Sequence, residues 1–107
     1  MIIDHRTYEL HPNKLPDWLK LWESQALPMH MKYMGESFVS MFQTEVGQLN
    51  QVVHLWRYDS MADREKRRGA LEADPGWHDF RRAVREQASL KQLENKILKP
   101  VAFSPMK

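Results

Sequence analysis

The run QVVHLWRY, residues 51–58, limits what this chain can fold into more than any other stretch. Successive side chains of a strand point to opposite faces. His54, Trp56 and Tyr58 therefore share one face, while Val53 and Leu55 line the other. A strand in a two-layer protein needs only one apolar face. This one has two, and the second carries polar atoms. Any sheet that holds it must be covered on both sides.

The flanking segments supply that sheet. Ile2 to Leu10 alternates as a strand, with Ile2, Arg6, Tyr8 and Leu10 on one side and Ile3, His5 and Thr7 on the other. His11-Pro12-Asn13 is a turn. Leu15, Trp18, Leu19, Trp22 and Ala26 recur at helical spacing. Pro28 is expected to kink or end that helix, with Gly35 as the stop for any continuation. Glu36 to Thr44 reads as a strand with Phe38, Ser40 and Phe42 on one face and Val39 and Met41 on the other. Gly47 to Asn50 then turns the chain into the opening stretch as a hairpin. Ser60 and Asp63 have the spacing of a capping box, so Met61 to Ala73 is helical, with Asp63 and Arg67 as a four-residue charge pair. Asp74-Pro75 caps and starts another helix, whose buried stripe is Trp77, Phe80, Ala83 or Val84, and Ala88. A last strand is expected from about Lys96 to Val101, at an edge because of Pro100.

Strand, helix, strand, strand, helix pair, strand is the order of a ferredoxin-like α+β unit, an antiparallel sheet with its helices on one face. Crossover handedness places both helical connections on the same side. At 107 residues the chain is read as a single domain, residues 1–107, with no internal repeat or linker. Its own helices leave one sheet face bare. That face carries either Phe38, Phe42, Val52, Trp56 and Tyr58 or the set with Val39, Met41, Val53 and Leu55, and both are too apolar to leave in water. A second copy packing sheet on sheet is the economical cover, so a homodimer is expected. Phe103, in the tail AFSPMK, is expected to dock on a barrel end or on the partner.

The motifs TEVGQLNQVVHLWRYDS, ADREKRRGALEADPGWHDF and LKPVAFSP, with HRTYEL in the first strand, resemble the NIPSNAP family across essentially the whole chain. The resemblance implies a dimeric α/β barrel, two ferredoxin-like units whose sheets enclose a shared interior. Pro12-Asn13 stands where the family usually has Pro-Gly, and Asn can fill that turn. A single domain without a leader also departs from the tandem-domain, organelle-targeted animal members, so their trafficking and signalling roles are not carried over. The family offers no agreed catalytic residues. The wider barrel superfamily includes cofactor-free monooxygenases, haem-degrading oxygenases and lactone isomerases that use a mostly apolar pocket between sheet and helices.

That implication gives His54 a chemical reading as an acid or base, since an imidazole can shuttle a proton at neutral pH within an enclosed pocket. Arg6 and Tyr8 lie on the neighbouring strand. With Trp56 and Tyr58 they form the candidate substrate-binding set, placing a cation and phenols around a small acidic or phenolic ligand, with Trp56 as an aromatic wall. The plainer alternative makes His54 a hydrogen-bonded structural histidine and Trp56 core.

Other classes have weaker support. MHMKYM, residues 29–34, offers soft metal ligands, but neighbours on a helix point apart and Met is a common core filler, so no metal is expected. The basic run Arg64, Lys66, Arg67, Arg68 is balanced by Asp63, Glu65 and Glu72 and reads as a solvated face. A net charge of +2 is too small to argue for nucleic acid. There is no phosphate-binding glycine loop, no paired-carboxylate motif and no membrane-length apolar run, and no cofactor is expected. The lack of cysteine and of a signal-like start gives the expectation of a reducing, cytoplasmic setting. Three functions fit: a cofactor-independent oxygenase or isomerase, a binding protein for a small hydrophobic ligand or haem, or a non-catalytic interaction and scaffold module.

Overall fold

The computed structural model covers residues 1–107. The elements run β1 (Ile2–Leu10), α1 (Leu15–Leu21), a π-helical turn (Trp22–Ala26), α2 (Leu27–Met34), a 3₁₀ turn (Gly35–Ser37), β2 (Phe38–Gln43), β3 (Gln51–Tyr58), α3 (Met61–Glu72), α4 (Pro75–Gln87) and β4 (Leu90–Leu98). The sheet has the order β2-β3-β1-β4 with every neighbouring pair antiparallel. All helices pack on one side of it, the α+β ferredoxin-like arrangement that the element order implies. No helix is long and apolar enough to cross a membrane.

The caps form where the sequence places them. Ser60 Oγ accepts from the Asp63 N–H, while an Asp63 carboxylate oxygen accepts from the Asp59 N–H and the other pairs with Arg67 at 2.9 Å. Asp74 accepts from the Gly76 N–H at the start of α4, and Tyr33 donates to its second oxygen at 2.6 Å, tying α2 to the α3–α4 corner.

Of the two outcomes expected at Pro28, a kink or an end, the end does not occur, and the helix runs on to the stop expected at Gly35; two other expectations need correction. Leu27 N–H bonds to Trp22 O, five residues back, and the chain stays helical to Met34. Proline removes a donor, but here it enters directly after the π turn, at the start of α2, where that loss is absorbed. Gly35, at φ 55°, then stops the helix. In β2, simple alternation fails because of a bulge between Phe38 and Ser40. Phe38 stacks on Trp56 under the helices, whereas Phe42 pairs with Val53 on the open face. Each of the two face sets read from the sequence is therefore split. The last strand begins earlier than expected and ends before Pro100, because an edge strand with little burial shows no clean alternation in LKQLENKIL.

The core lies between helices and sheet, built on Leu10, Trp18, Met34, Val52, Trp56, Tyr58 and Leu71. The molecule is a slab of 41 × 36 × 18 Å with 6947 Å² of accessible surface. A compact monomer of this mass exposes about 6,300 Å². The bare face contributes to the excess: Phe42 and Leu98 are each at least 40% exposed there, beside the half-buried Ile3, Val53 and Leu55. Phe103 packs on nothing within its own chain, at 89% exposure.

Candidate functional site

Alternation in β1 and β3 turns Asp4, Arg6, Tyr8, Leu10 and Val52, His54, Trp56, Tyr58 toward the helices, and the register sets Arg6 opposite His54. Arg6, Tyr8, His54 and Trp56 among them floor a cavity of about 300 Å³. Trp18, Trp22 and His30 close it from the first helical stretch, and Trp77, Phe80, Val84, Arg81 and Arg85 from α4. Arg68 of α3, with Leu90 and Leu93 of β4, completes the wall. Arg6, Tyr8, His54 and Trp56 all line it; Tyr58 does not. Tyr58 is fully buried below, with its hydroxyl on Met34 Sδ at 3.7 Å.

The state of His54 follows from one hydrogen bond. Trp56 Nε1–H donates to His54 Nδ1 at 2.8 Å. Indole N–H is only ever a donor, so Nδ1 holds a lone pair and the ring proton sits on Nε2. That Nε2–H is buried and has no partner in the protein. Burial, with Arg6 second, lowers the pKa of this imidazole to about 3, so the ring is neutral at pH 7. Tyr8 meets it edge-on with centroids 4.6 Å apart. The only lone pair of His54 is thus already engaged, and its Nε2–H is buried away from solvent.

His30 is the complement. Its Nδ1 lies 2.7 Å from Ala26 O, and a carbonyl only accepts, so the proton is on Nδ1 and Nε2 carries the lone pair. Burial lowers its pKa to about 4, against a smaller raising effect from that carbonyl. The ring is sandwiched near Trp22, Trp56 and Trp77, at centroid distances of 5.2, 4.8 and 5.7 Å. Trp77 adds a second buried N–H with no partner. His30 is not among the residues that the sequence singles out for the site, since MHMKYM reads as weak metal ligands or core filler. Its signal was the spacing of Trp18, Trp22, Ala26, His30 and Met34, four residues apart throughout.

Arg6 is held from below. Asp4, wholly buried, accepts from Arg6 Nε and Nη2 at 3.2 and 3.1 Å, from Arg64 Nε at 3.1 Å and from Asn95 Nδ2 at 3.3 Å. Burial alone would raise the Asp4 pKa, but the bonds and charge of Arg6, with Asn95 and Arg64, outweigh it and hold the carboxyl below its usual range. Arg6 Nη1 in turn donates to Tyr8 Oη at 3.2 Å. Linear pattern does not mark Asp4, because its partners Arg64 and Asn95 lie on other elements. No carboxylate lines the cavity, and no group of three or more His, Cys, Asp or Glu residues is placed to hold a metal ion.

Comparison with known proteins concerns the family and the fold, over nearly the whole chain. The NIPSNAP family profile matches residues 3–105. A crystal structure of a NIPSNAP family protein of unknown function from Agrobacterium tumefaciens superposes with a TM-score of 0.86 at 37% identity, covering 100% of this chain and 94% of that one. Protein NipSnap of Drosophila melanogaster is 30% identical over 97% of this chain. The chain spans 36% of that relative's length, and less than half of the other curated relatives it matches. A protein from Deinococcus radiodurans, described as a candidate antibiotic biosynthesis monooxygenase, shares the fold with a TM-score of 0.68 at 12% identity, over 100% of this chain and 99% of that one.

Proposed function

We propose that this chain, which belongs to the NIPSNAP family, binds a small, largely apolar molecule with an acidic or phenolic oxygen in the cavity between its sheet and its helices. One observation carries the reading: an unfilled volume lies between sheet and helices, lined mostly by apolar and aromatic side chains with Arg6, Tyr8 and His30 among them. The volume, about 300 Å³, is at the lower end of the range for small-molecule sites. Arg6, Tyr8 and Trp56 supply charge, a hydroxyl and an aromatic wall.

A transformation of the ligand, of the cofactor-independent oxygenase or isomerase type, is the finer form of this reading. In it His54 is a neutral imidazole whose lone pair is committed to Trp56, and Arg6 and Tyr8 are the polar groups that would meet a substrate oxygen. The distant monooxygenase likeness supports the fold and carries no substrate. A scaffold role without a ligand is the competing reading, and the unfilled volume argues against it.

The same proposal includes a homodimer. The bare face set by Phe42, Val53, Leu55, Ile3 and Leu98 is the surface it would bury. Native mass spectrometry of the purified protein tests both parts: the expected species is a dimer carrying a small organic mass. A ligand-free protein that also fails to take up phenols or quinols at millimolar concentration would overturn the binding reading. Oxygen-uptake assays on bound quinols then separate turnover from simple binding.

A further inference from the structure

We infer that the ligand of this cavity is an anionic amphiphile, a small carboxylate whose apolar body lies against Trp77, Val84 and Leu93 and whose charge sits at Arg81 and Arg85 on α4. This rests on the small-molecule reading above and adds to it the charge of the ligand and the direction in which it lies.

Arg6, Arg68, Arg81 and Arg85 line the cavity, and no carboxylate does. Two of these arginines are already matched. Arg6 spends Nε and Nη2 on Asp4 and Nη1 on Tyr8, and Arg68 is paired with Glu72 at 3.3 Å. Arg81 and Arg85 enter no ion pair, although their neighbour Arg82, outside the cavity, finds Asp79 at 3.5 Å. Both are exposed, so their guanidiniums are open to a ligand. Four residues apart on one helix, they are surface neighbours with Cβ atoms about 5–6 Å apart, and a carboxylate can meet either or bridge the two. Burial keeps His30 and His54 neutral at pH 7, which confines the unmatched charge of the wall to α4.

The placing of these arginines departs from what a covering helix needs. Trp77, Phe80 and Val84 lie on the face that α4 turns to the cavity, and Arg81 and Arg85 fall in the same stripe, one residue after Phe80 and Val84. Arginine stems lying along apolar surface with their heads in water are the competing explanation. The apolar body of the ligand follows from surface that the protein leaves open. Leu93 pairs with Tyr8 across β1 and β4 and lines the cavity, yet it is 56% exposed. Tyr8, Trp77, Val84 and Leu90 are partly exposed around the same space. Inorganic phosphate would meet the arginines and leave that surface uncovered. A dry cavity of about 150 Å³ accepts benzene, so about 300 Å³ has room for one ring with a short carboxylate arm.

The test compares 3-phenylpropionate with 3-phenylpropanamide, which has nearly the same shape and no charge, by calorimetric titration of the protein at pH 7. The acid is expected to bind more tightly than the amide, and raising the salt from about 50 to about 500 mM should weaken the acid alone. Arg81→Met with Arg85→Met keeps an apolar stem over the same wall and removes both charges. It should weaken the acid about three- to thirtyfold and leave the amide unchanged. Arg81→Lys with Arg85→Lys should retain most of the affinity, and Arg82→Met, on the same helix but outside the cavity, all of it. Circular dichroism confirms that each variant is folded; should the double methionine variant fail, Arg85→Met alone and the salt dependence decide. An amide that binds as tightly as the acid, wild-type affinity in the double methionine variant, or an equal loss in Arg82→Met would overturn the inference and leave a small-molecule pocket intact. If neither probe binds, the inference falls, and the pocket reading stands or falls separately with the phenols and quinols named above.

Discussion

Lowering the pH asks His54 and His30 to take up protons that their surroundings refuse. Each ring is 3% exposed, and their pKa values stand at about 3 and about 4, against 6.5 when free. Below pH 6.5 the unfolded chain binds protons at both sites and the folded chain does not, so stability falls as pH falls, and continues to fall until the folded pKa values are reached. With both rings in play the slope approaches about 2.5 kcal/mol per pH unit, and the pair removes about 3 kcal/mol between pH 6.5 and 5. A domain holds about 5–15 kcal/mol in total. Carboxylates, Asp4 included, lose stability in the same direction but mainly at lower pH, which leaves pH 5–6.5 as the diagnostic window. Urea unfolding followed by tryptophan fluorescence measures it. His54→Gln keeps an acceptor for Trp56 and cannot titrate, so it should lower stability at pH 7.5 while halving the slope. The double variant with His30→Gln should be nearly flat. Equal slopes in the wild type and the double variant would refute the reasoning, since the imidazoles would then be free to protonate in the folded state.

Asp4→Asn leaves Arg6 and Arg64 without their shared carboxylate at a buried site and should cost about 3–5 kcal/mol in urea unfolding at pH 7; a loss under 1 kcal/mol would mean that the guanidiniums find water instead. Gly35→Ala forces a left-handed φ of 55° on a residue with a Cβ, which would also lie 3.3 Å from Arg67 Nη1. About 1–3 kcal/mol is expected from thermal melts, and a neutral result would show that the turn relaxes. Phe42→Asp on the open face should convert a dimer to monomer in sedimentation velocity with the cavity intact, whereas a wild type that already sediments as a monomer would remove the homodimer proposal.

The parts of the fold that were legible in the sequence are those written by burial on one side and by caps. β1, β3, the Ser60 cap and the Asp74-Pro75 start all emerge from local pattern because local physics decides them. β2 and β4 were read less well for opposite reasons. The bulge at Phe38–Ser40 shifts a pattern that is present, and the exposed β4 barely has one. Within the site, Arg6, Tyr8, His54 and Trp56 share a face that alternation alone assigns, and the structure places them around one cavity. Tyr58 follows the same alternation but lies beyond the cavity, because a pocket is bounded in depth as well as by face. Asp4 and the tautomer of His54 depend on contacts across strands and on one indole N–H, neither of which a linear pattern carries.

His30 is hidden for a further reason, which lies in the geometry of the helix that bears it. Trp18, Trp22, Ala26, His30 and Met34 are all buried, at a strict spacing of four. On an ideal α-helix each such step drifts about 40° around the axis, so five residues in series could not stay on one face. The π turn at Trp22–Ala26 winds more slowly and takes back part of that drift, keeping His30 over the sheet beside Trp56 rather than turned to solvent. Pro28 belongs to the same device. Read alone it ends a helix; placed after a π turn, where the preceding N–H already reaches five residues back, it is accommodated. A spacing of four sustained through a proline is therefore a sequence signal for a π turn, and in this chain the residue that the turn brings into the cavity is the one imidazole acceptor it contains.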